Sequence, residues 1–165
     1  MDETIRNALY QAYTGESKAT LRLKVYAEKA AEEGFPQLAK LFRVIAFSEE
    51  LHAKRALKLL KEIQSTEENL KTSFESETRI AQVAYDDFIK RALSVGDRAS
   101  SLYFSQSRDA EEIHAKLYKE AIDHTIEERD TTYYVCDFCG YVSDGILPEV
   151  CPICRAKKER FVTFT

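Results

Sequence analysis

Apolar residues recur at helical spacing along most of the chain, and each stripe is broken by one polar residue or pair. One stripe runs Ile5, Leu9, Ala12, Glu16, Ala19, Leu23, Ala27 and Ala30, and the next Leu38, Phe42, Ile45, Glu49, His52, Ala56, Leu59 and Ile63. A third runs Leu70, Phe74, Glu77, Ala81, Ala84, Phe88, Ala92 and Val95, and a fourth Phe104, Ser107, Glu111, His114, Tyr118 and Ala121. Spacing of three to four predicts four amphipathic helices with their apolar faces in a dry core. Helix one is expected from near Asp2 to Glu33, stopped by Gly34, and Phe35-Pro36 opens helix two, which carries Gln37 to about Ile63. Ser65 with Glu68 reads as a capping box for helix three, which ends near Gly96; Asp97 caps helix four, expected to run to about Glu128. A charged run at 127–130 leads into Tyr133-Tyr134-Val135, a short β-like stretch.

The polar interruptions form a pattern of their own. Glu49 and Glu111 each stand three residues before a histidine, His52 and His114, so each pair shares a helix face. Glu16 lies 33 residues before Glu49, and Glu77 lies 34 before Glu111. Residues 1–128 thus read as one unit repeated: helix with Glu, turn, helix with Glu-x-x-His. Unpaired carboxylates and imidazoles on a core face cost several kcal/mol. A buried Glu–His ion pair is the plain alternative for one copy. Two copies, with two single Glu in register, point to four carboxylates and two imidazoles around two metal ions, the ligand set of a di-iron or di-manganese helix bundle. If the repeats share that site across a twofold axis, helices two and three run parallel, and the short segment after Ile63 must span the bundle. Either 64–74 unwinds into a crossover, or each bundle takes its halves from two chains as a domain-swapped dimer. The capping box and the stripe at Leu70 and Phe74 favour the swap.

Composition narrows the setting. The chain has 165 residues, 44% hydrophobic and 32% charged, with 5 Gly and 3 Pro, which suits one helical domain with a small appendage. A net charge of −4 without a basic run argues against nucleic acid. No apolar run is long enough for a bilayer and no signal peptide is visible, so the expected setting is cytoplasmic, with no membrane partner.

All four cysteines fall in two C-x-x-C pairs, Cys136/Cys139 and Cys151/Cys154. In a reducing compartment this spacing means a tetrahedral four-thiolate metal site. So short a segment draws much of its stability from the metal. Spacing fits iron or zinc; the aromatic flank and the Cys-Gly-Tyr and Cys-Pro-x-Cys knuckles favour iron. A one-electron store also makes sense beside a di-metal site.

With these pieces in place the sequence resembles the rubrerythrins over nearly its whole length. The matching pieces are Ala-Tyr-Thr-Gly-Glu16-Ser, Gly34-Phe35-Pro36, Glu49-x-x-His52-Ala-Lys-Arg, Glu68-Asn69-Leu70, Glu111-x-x-His114 and the C-terminal knuckles. The resemblance implies a ferritin-like di-iron four-helix bundle over 1–130 and a rubredoxin-like iron domain over 131–165. It implies an enzyme reducing hydrogen peroxide to water, with Glu16, Glu49, His52, Glu77, Glu111 and His114 as di-iron ligands. Electrons come from a reductase or a separate rubredoxin through the iron on Cys136, Cys139, Cys151 and Cys154, typically across a subunit boundary. Tyr85 matches a pocket tyrosine; a plain core aromatic is the alternative.

Three positions depart from the family pattern. Ile80 stands where a further Glu usually follows the Glu77 equivalent by three residues, and Leu23 stands where a Tyr lies near the iron. Both make the pocket less polar and bring an O2-consuming oxidase or ferroxidase into consideration as a rival. Arg155 replaces the glycine that ends the second knuckle. A third reading is an iron-storage or metal-responsive protein with zinc on the cysteines. His124 reads as a solvated or dipole-stabilising residue near the end of helix four rather than a ligand.

Overall fold

The computed structural model describes residues 1–123 and 130–165. The chain divides into two compact units, Met1–Gln64 and Ser65–Thr165.

The first unit is a helical hairpin. Helix α1 spans Glu3–Glu32, its N-terminus closed by the Asp2 carboxylate, which accepts from the Thr4 and Ile5 amides. Gly34 takes φ 80°, a left-handed conformation open to glycine, which lets the Phe35 amide reach the Ala30 carbonyl. Helix α2 spans Pro36–Leu60, with proline in its first turn as expected. It stops three residues before Ile63. Lys61 adopts φ 60° and the Lys61 and Glu62 amides close on Lys58 and Leu57, a glycine-type ending without a glycine to announce it.

The hairpin's buried residues are almost all small: Thr20, Ala27 and Ala30 face Ala39, Ala46, Ala53, Ala56 and Leu60. Alanines let the two backbones approach closely but bury little apolar area. The stripes that carry Glu16, Glu49 and His52 enter this seam only at the small residues Ala27, Ala30 and Ala56, while Ile5, Leu38, Ile45, Leu59 and Ile63 on them are exposed. The expected dry face is not dry here, because no further helix of this unit covers it.

In the second unit Ser65 and Glu68 form the capping box and open α3, Thr66–Arg79. The segment 64–74 therefore does not unwind into a crossover. The expected single third helix is interrupted: a π-helical turn at Ile80–Ala84 separates α3 from α4, Tyr85–Ser94. Gly96, φ 74°, turns the chain, and the Asp97 side chain caps α5, Arg98–Ile122. The previously expected end near Glu128, and His124, lie outside the described residues.

The π turn has a source in the sequence. Eighteen residues separate Glu16 from Gly34, and nineteen separate Glu77 from Gly96; fifteen then lead to Glu49 and to Glu111. A π turn accommodates one extra residue within a helix. The two repeats thus align in both their acids and their turns, and the surplus residue sits in 80–84. Val95, expected on the stripe, falls in the turn and is exposed.

The C-terminal part of this unit is a three-stranded antiparallel sheet of order β2-β1-β3, with β1 Tyr133–Cys136, β2 Val142–Asp144 and β3 Phe161–Phe164. Two tight knuckles hang from it. In the first, the Gly140 amide donates to the Cys136 carbonyl; in the second, the Arg155 amide donates to Cys151. Gly140 has φ 79° and Arg155 φ 65°, so the arginine holds a left-handed backbone at a cost of about 1 kcal/mol.

Candidate metal centres

Helical spacing places Glu49 and His52 one turn apart on α2, and α1 brings Glu16 to them. Their ligand atoms all lie within 4.8 Å of one another. His52 Nδ1 is 3.0 Å from Glu49 Oε2 and 4.0 Å from Glu16 Oε1. A hydrogen bond to Glu49, which the protonated Glu16 carboxyl donates, holds Glu16 above its usual range.

The second unit repeats the grouping. Glu77, Glu111 and His114 also lie within 4.8 Å of one another, with His114 Nδ1 2.8 Å from Glu111 Oε2. Burial, and then a hydrogen bond to Glu111, push Glu77 up to about 7. Two carboxyls hydrogen-bonded to each other must share a proton, and a divalent cation is the natural replacement for it. The donor set, hard carboxylates with one imidazole in each group, suits iron or manganese.

His114 has a second partner. Its Nε2 lies 2.9 Å from the Gly140 carbonyl on the first knuckle. A carbonyl only accepts, so it fixes the proton on Nε2 and leaves the Nδ1 lone pair facing Glu111 and Glu77. This link joins one chain to itself. Beside it a mostly apolar cleft of about 420 Å³ is lined by Leu70, His114, Tyr118 and Tyr133, among others.

Tyr85 packs as a core aromatic and also lies within reach of the charges of Glu111 and Glu77. Its ring packs at 5.9 Å from Phe88 and 6.3 Å from Phe104. Burial raises its phenol pKa, the Ser107 hydroxyl bonds to it, and the charges of Glu111 and Glu77 act on it. Ser107, one turn before Glu111, is a polar neighbour that sequence spacing placed on the stripe but gave no role. Ile80, half-buried, opens the π turn directly after the helix of Glu77.

The four cysteine sulfurs also lie within 4.8 Å of one another, with Cys136–Cys154 and Cys139–Cys151 both at 3.6 Å. A tetrahedral metal with bonds of 2.3 Å sets its sulfurs about 3.8 Å apart, so the cage fits. Burial pushes the Cys139 and Cys154 thiols up. Burial also opposes ionisation of Cys136, but the amides of Cys139 and Phe138 outweigh it and hold that thiol below its usual range. Among the described residues no helix is long and apolar enough to cross a membrane.

Two family models match this architecture: Rubrerythrin over residues 7–122, and the rubrerythrin rubredoxin-like domain over 134–162. Rubrerythrin-2 of Clostridium acetobutylicum is 32% identical over 94% of this chain and 94% of its own length. Nigerythrin of Nitratidesulfovibrio vulgaris is 28% identical over 98% of this chain and 86% of its own. Among solved structures, nigerythrin in mixed-valent and in fully reduced, all-ferrous states matches with TM-score 0.59 and 27% identity, over 96% of this chain and 86% of that one. Acid–histidine groups in two repeats, a four-thiolate cage and these likenesses make the chain a member of the rubrerythrin family, a di-iron oxidoreductase with an electron-transferring rubredoxin-like domain.

Proposed function

We propose that the protein is a peroxide reductase in which electrons reach the Glu/His centre through the four-cysteine iron. The observation that carries this is the 2.9 Å hydrogen bond between His114 Nε2 and the Gly140 carbonyl, which ties the centre to the residue after Cys139. Glu16, Glu49, His52, Glu77, Glu111 and His114 would hold two iron ions, which when bound would supply electrons and Lewis acidity for O–O cleavage. Hydrogen peroxide takes up two electrons and two protons and leaves as two waters. The chain's own part is positional. The four carboxylates balance the charge of the cations, Gly140 sets the tautomer of His114, and Tyr85 can hold or yield a proton at its hydroxyl oxygen.

We further propose that the six residues form one centre in a domain-swapped homodimer, Met1–Gln64 of one chain completing a bundle with Ser65–Ile122 of its partner. The five residues from Lys61 to Ser65 reach about 17 Å, against about 37 Å for a helix of α2's 25 residues. The exposed stripe of α1 and α2 is the face such a partner covers. The electron donor in this reading is a reductase or a separate rubredoxin, and four thiols suit the cytoplasm.

Ile80 favours a second reading, an O2-consuming oxidase or ferroxidase, since the pocket lacks a further carboxylate there. Anaerobic stopped-flow on the iron-loaded, reduced protein separates them. Fast return of the ferric–thiolate colour with peroxide and slow return with O2 supports the reductase. The reverse order overturns it in favour of the oxidase. Zinc instead of iron at the cysteines of the native protein overturns both.

A further inference from the structure

The two knuckles share one backbone design and differ in what they present. Gly140 of the first directs its carbonyl to His114. Arg155, its counterpart on the second, is exposed and strained at φ 65°. Neither Arg155 nor its exposed neighbour Lys157 makes a side-chain hydrogen bond or ion pair among the described residues. The other two cations of this segment are occupied: Arg160 Nε donates to Asp137 at 2.6 Å, and Lys158 Nζ to Glu149 at 3.0 Å. Those pairs neutralise the carboxylates of the first knuckle and of the approach to the second. Glu159 stands beside Lys158, whose pKa its charge helps to raise. Between Val150 and Lys157 the charged residues are Arg155 and Lys157, both positive, on a chain of net charge −4. Beside Lys157 and bridged to it lies the exposed apolar side chain of Val150, at 38%, and the first knuckle exposes Phe138 at 64%.

We propose that Arg155 and Lys157 dock an acidic one-electron carrier protein at the second knuckle, so that electrons enter there and leave through Gly140 at the first. The inference rests on the electron-transfer role given above. The carrier passes one electron to the ferric iron on the cysteines; no proton moves and no bond is made or broken. An apolar patch with a cationic rim suits a transient partner, and opposite charge acts mainly on association rate. The strained backbone at Arg155 is a local cost kept for what its side chain does.

The test uses the full iron-loaded chain and two probes, a reduced plant-type ferredoxin, which is acidic, and reduced methyl viologen, a cation. At low salt, Arg155→Gly should weaken ferredoxin binding and slow reduction of the ferric centre about five-fold. Arg155→Lys should restore most of both. Reduction by viologen should become faster in Arg155→Gly, and the Tm of that variant should rise as the strain is relieved. Equal ferredoxin affinity and rate in wild type, Arg155→Gly and Arg155→Lys overturn the proposal, as does a ferredoxin rate that rises with salt. The functional reading fails separately: if ferredoxin docks through Arg155 but the reduced protein does not turn over peroxide, the docking stands and the reductase assignment falls.

Discussion

The two Glu/His groups have the same spacing and different surroundings. In the first unit the His52 side chain is 59% exposed and, among the described residues, Nδ1 meets Glu49 and, at 4.0 Å, Glu16. In the second the His114 side chain is 26% exposed and bonded at both nitrogens, to Glu111 and to Gly140. A histidine fixed at both ring atoms has one tautomer and little freedom; one fixed at a single atom can swing. The repeat therefore encodes two Glu/His groups of equal composition, of which one is held at both imidazole nitrogens and the other, within its own unit, at one.

The sharpest way to break that contrast is to remove each histidine in turn. His114→Ala should lower donor-driven peroxide turnover at least about 100-fold, because it removes both a ligand and the link to the knuckle. His52→Ala should lower it about ten-fold. Turnover with iron content determined on each variant checks this, and equal losses would mean that the Gly140 bond carries no electrons.

Much of this contrast was legible in the sequence, and the part that was not has a physical reason. Asp2, Ser65 and Asp97 announced their helix starts, and Gly34 and Gly96 their turns, because caps and left-handed turns are decided within a few residues. Helical and knuckle spacing bring together Glu16, Glu49 and His52, Glu77, Glu111 and His114, and the four cysteines, each set within 4.8 Å, whereas the single six-residue centre expected from the sequence remains a proposal. The end of α2 at Lys61 was missed, since nothing local forbids a lysine from continuing a helix. The bond from His114 to Gly140 joins residues 26 apart and depends on how a sheet lies against a helix, which no periodicity reports. The π turn is different. Its signal was present as the difference between 33 and 34 residues, and only alignment of the repeats turn by turn locates it.

That surplus residue gives the next test. Tyr85, Phe88 and Ala92, past the π turn, pack toward α5, while Glu77, before it, meets Glu111 on the same helix. Deleting exposed Gln82 should let 80–84 return to α-helix and rotate one side by about 100° against the other. Either the Tyr85–Phe104 packing or the Glu77–Glu111 pair is then lost. We expect a loss of roughly 2–3 kcal/mol and a Tm lower by about 5–10 °C at unchanged helix content, read by circular dichroism. An unchanged Tm would show that the turn holds nothing in register.

The smallest effect separates the two groups by pH in metal-free protein. Glu77 is raised to about 7 chiefly by burial, whereas Glu16 is raised chiefly by its bond to Glu49. A folded-state pKa above the unfolded value means that between about pH 4.5 and 7 the folded chain holds a proton that the unfolded chain has released. Stability is therefore full below pH 4.5 and declines as pH rises through 7. Discounted for solvent screening, the change from Glu77 is about 1 kcal/mol, or roughly 3 °C in Tm. Glu77→Gln should flatten that slope in a thermal melt series, and Glu16→Gln should leave most of it. Ferrous iron should reverse it, because a metal binds the deprotonated carboxylates and holds more tightly as pH rises. A slope that survives Glu77→Gln but vanishes in Glu16→Gln would assign the buried, proton-sharing group to the first unit and invert the contrast between the two.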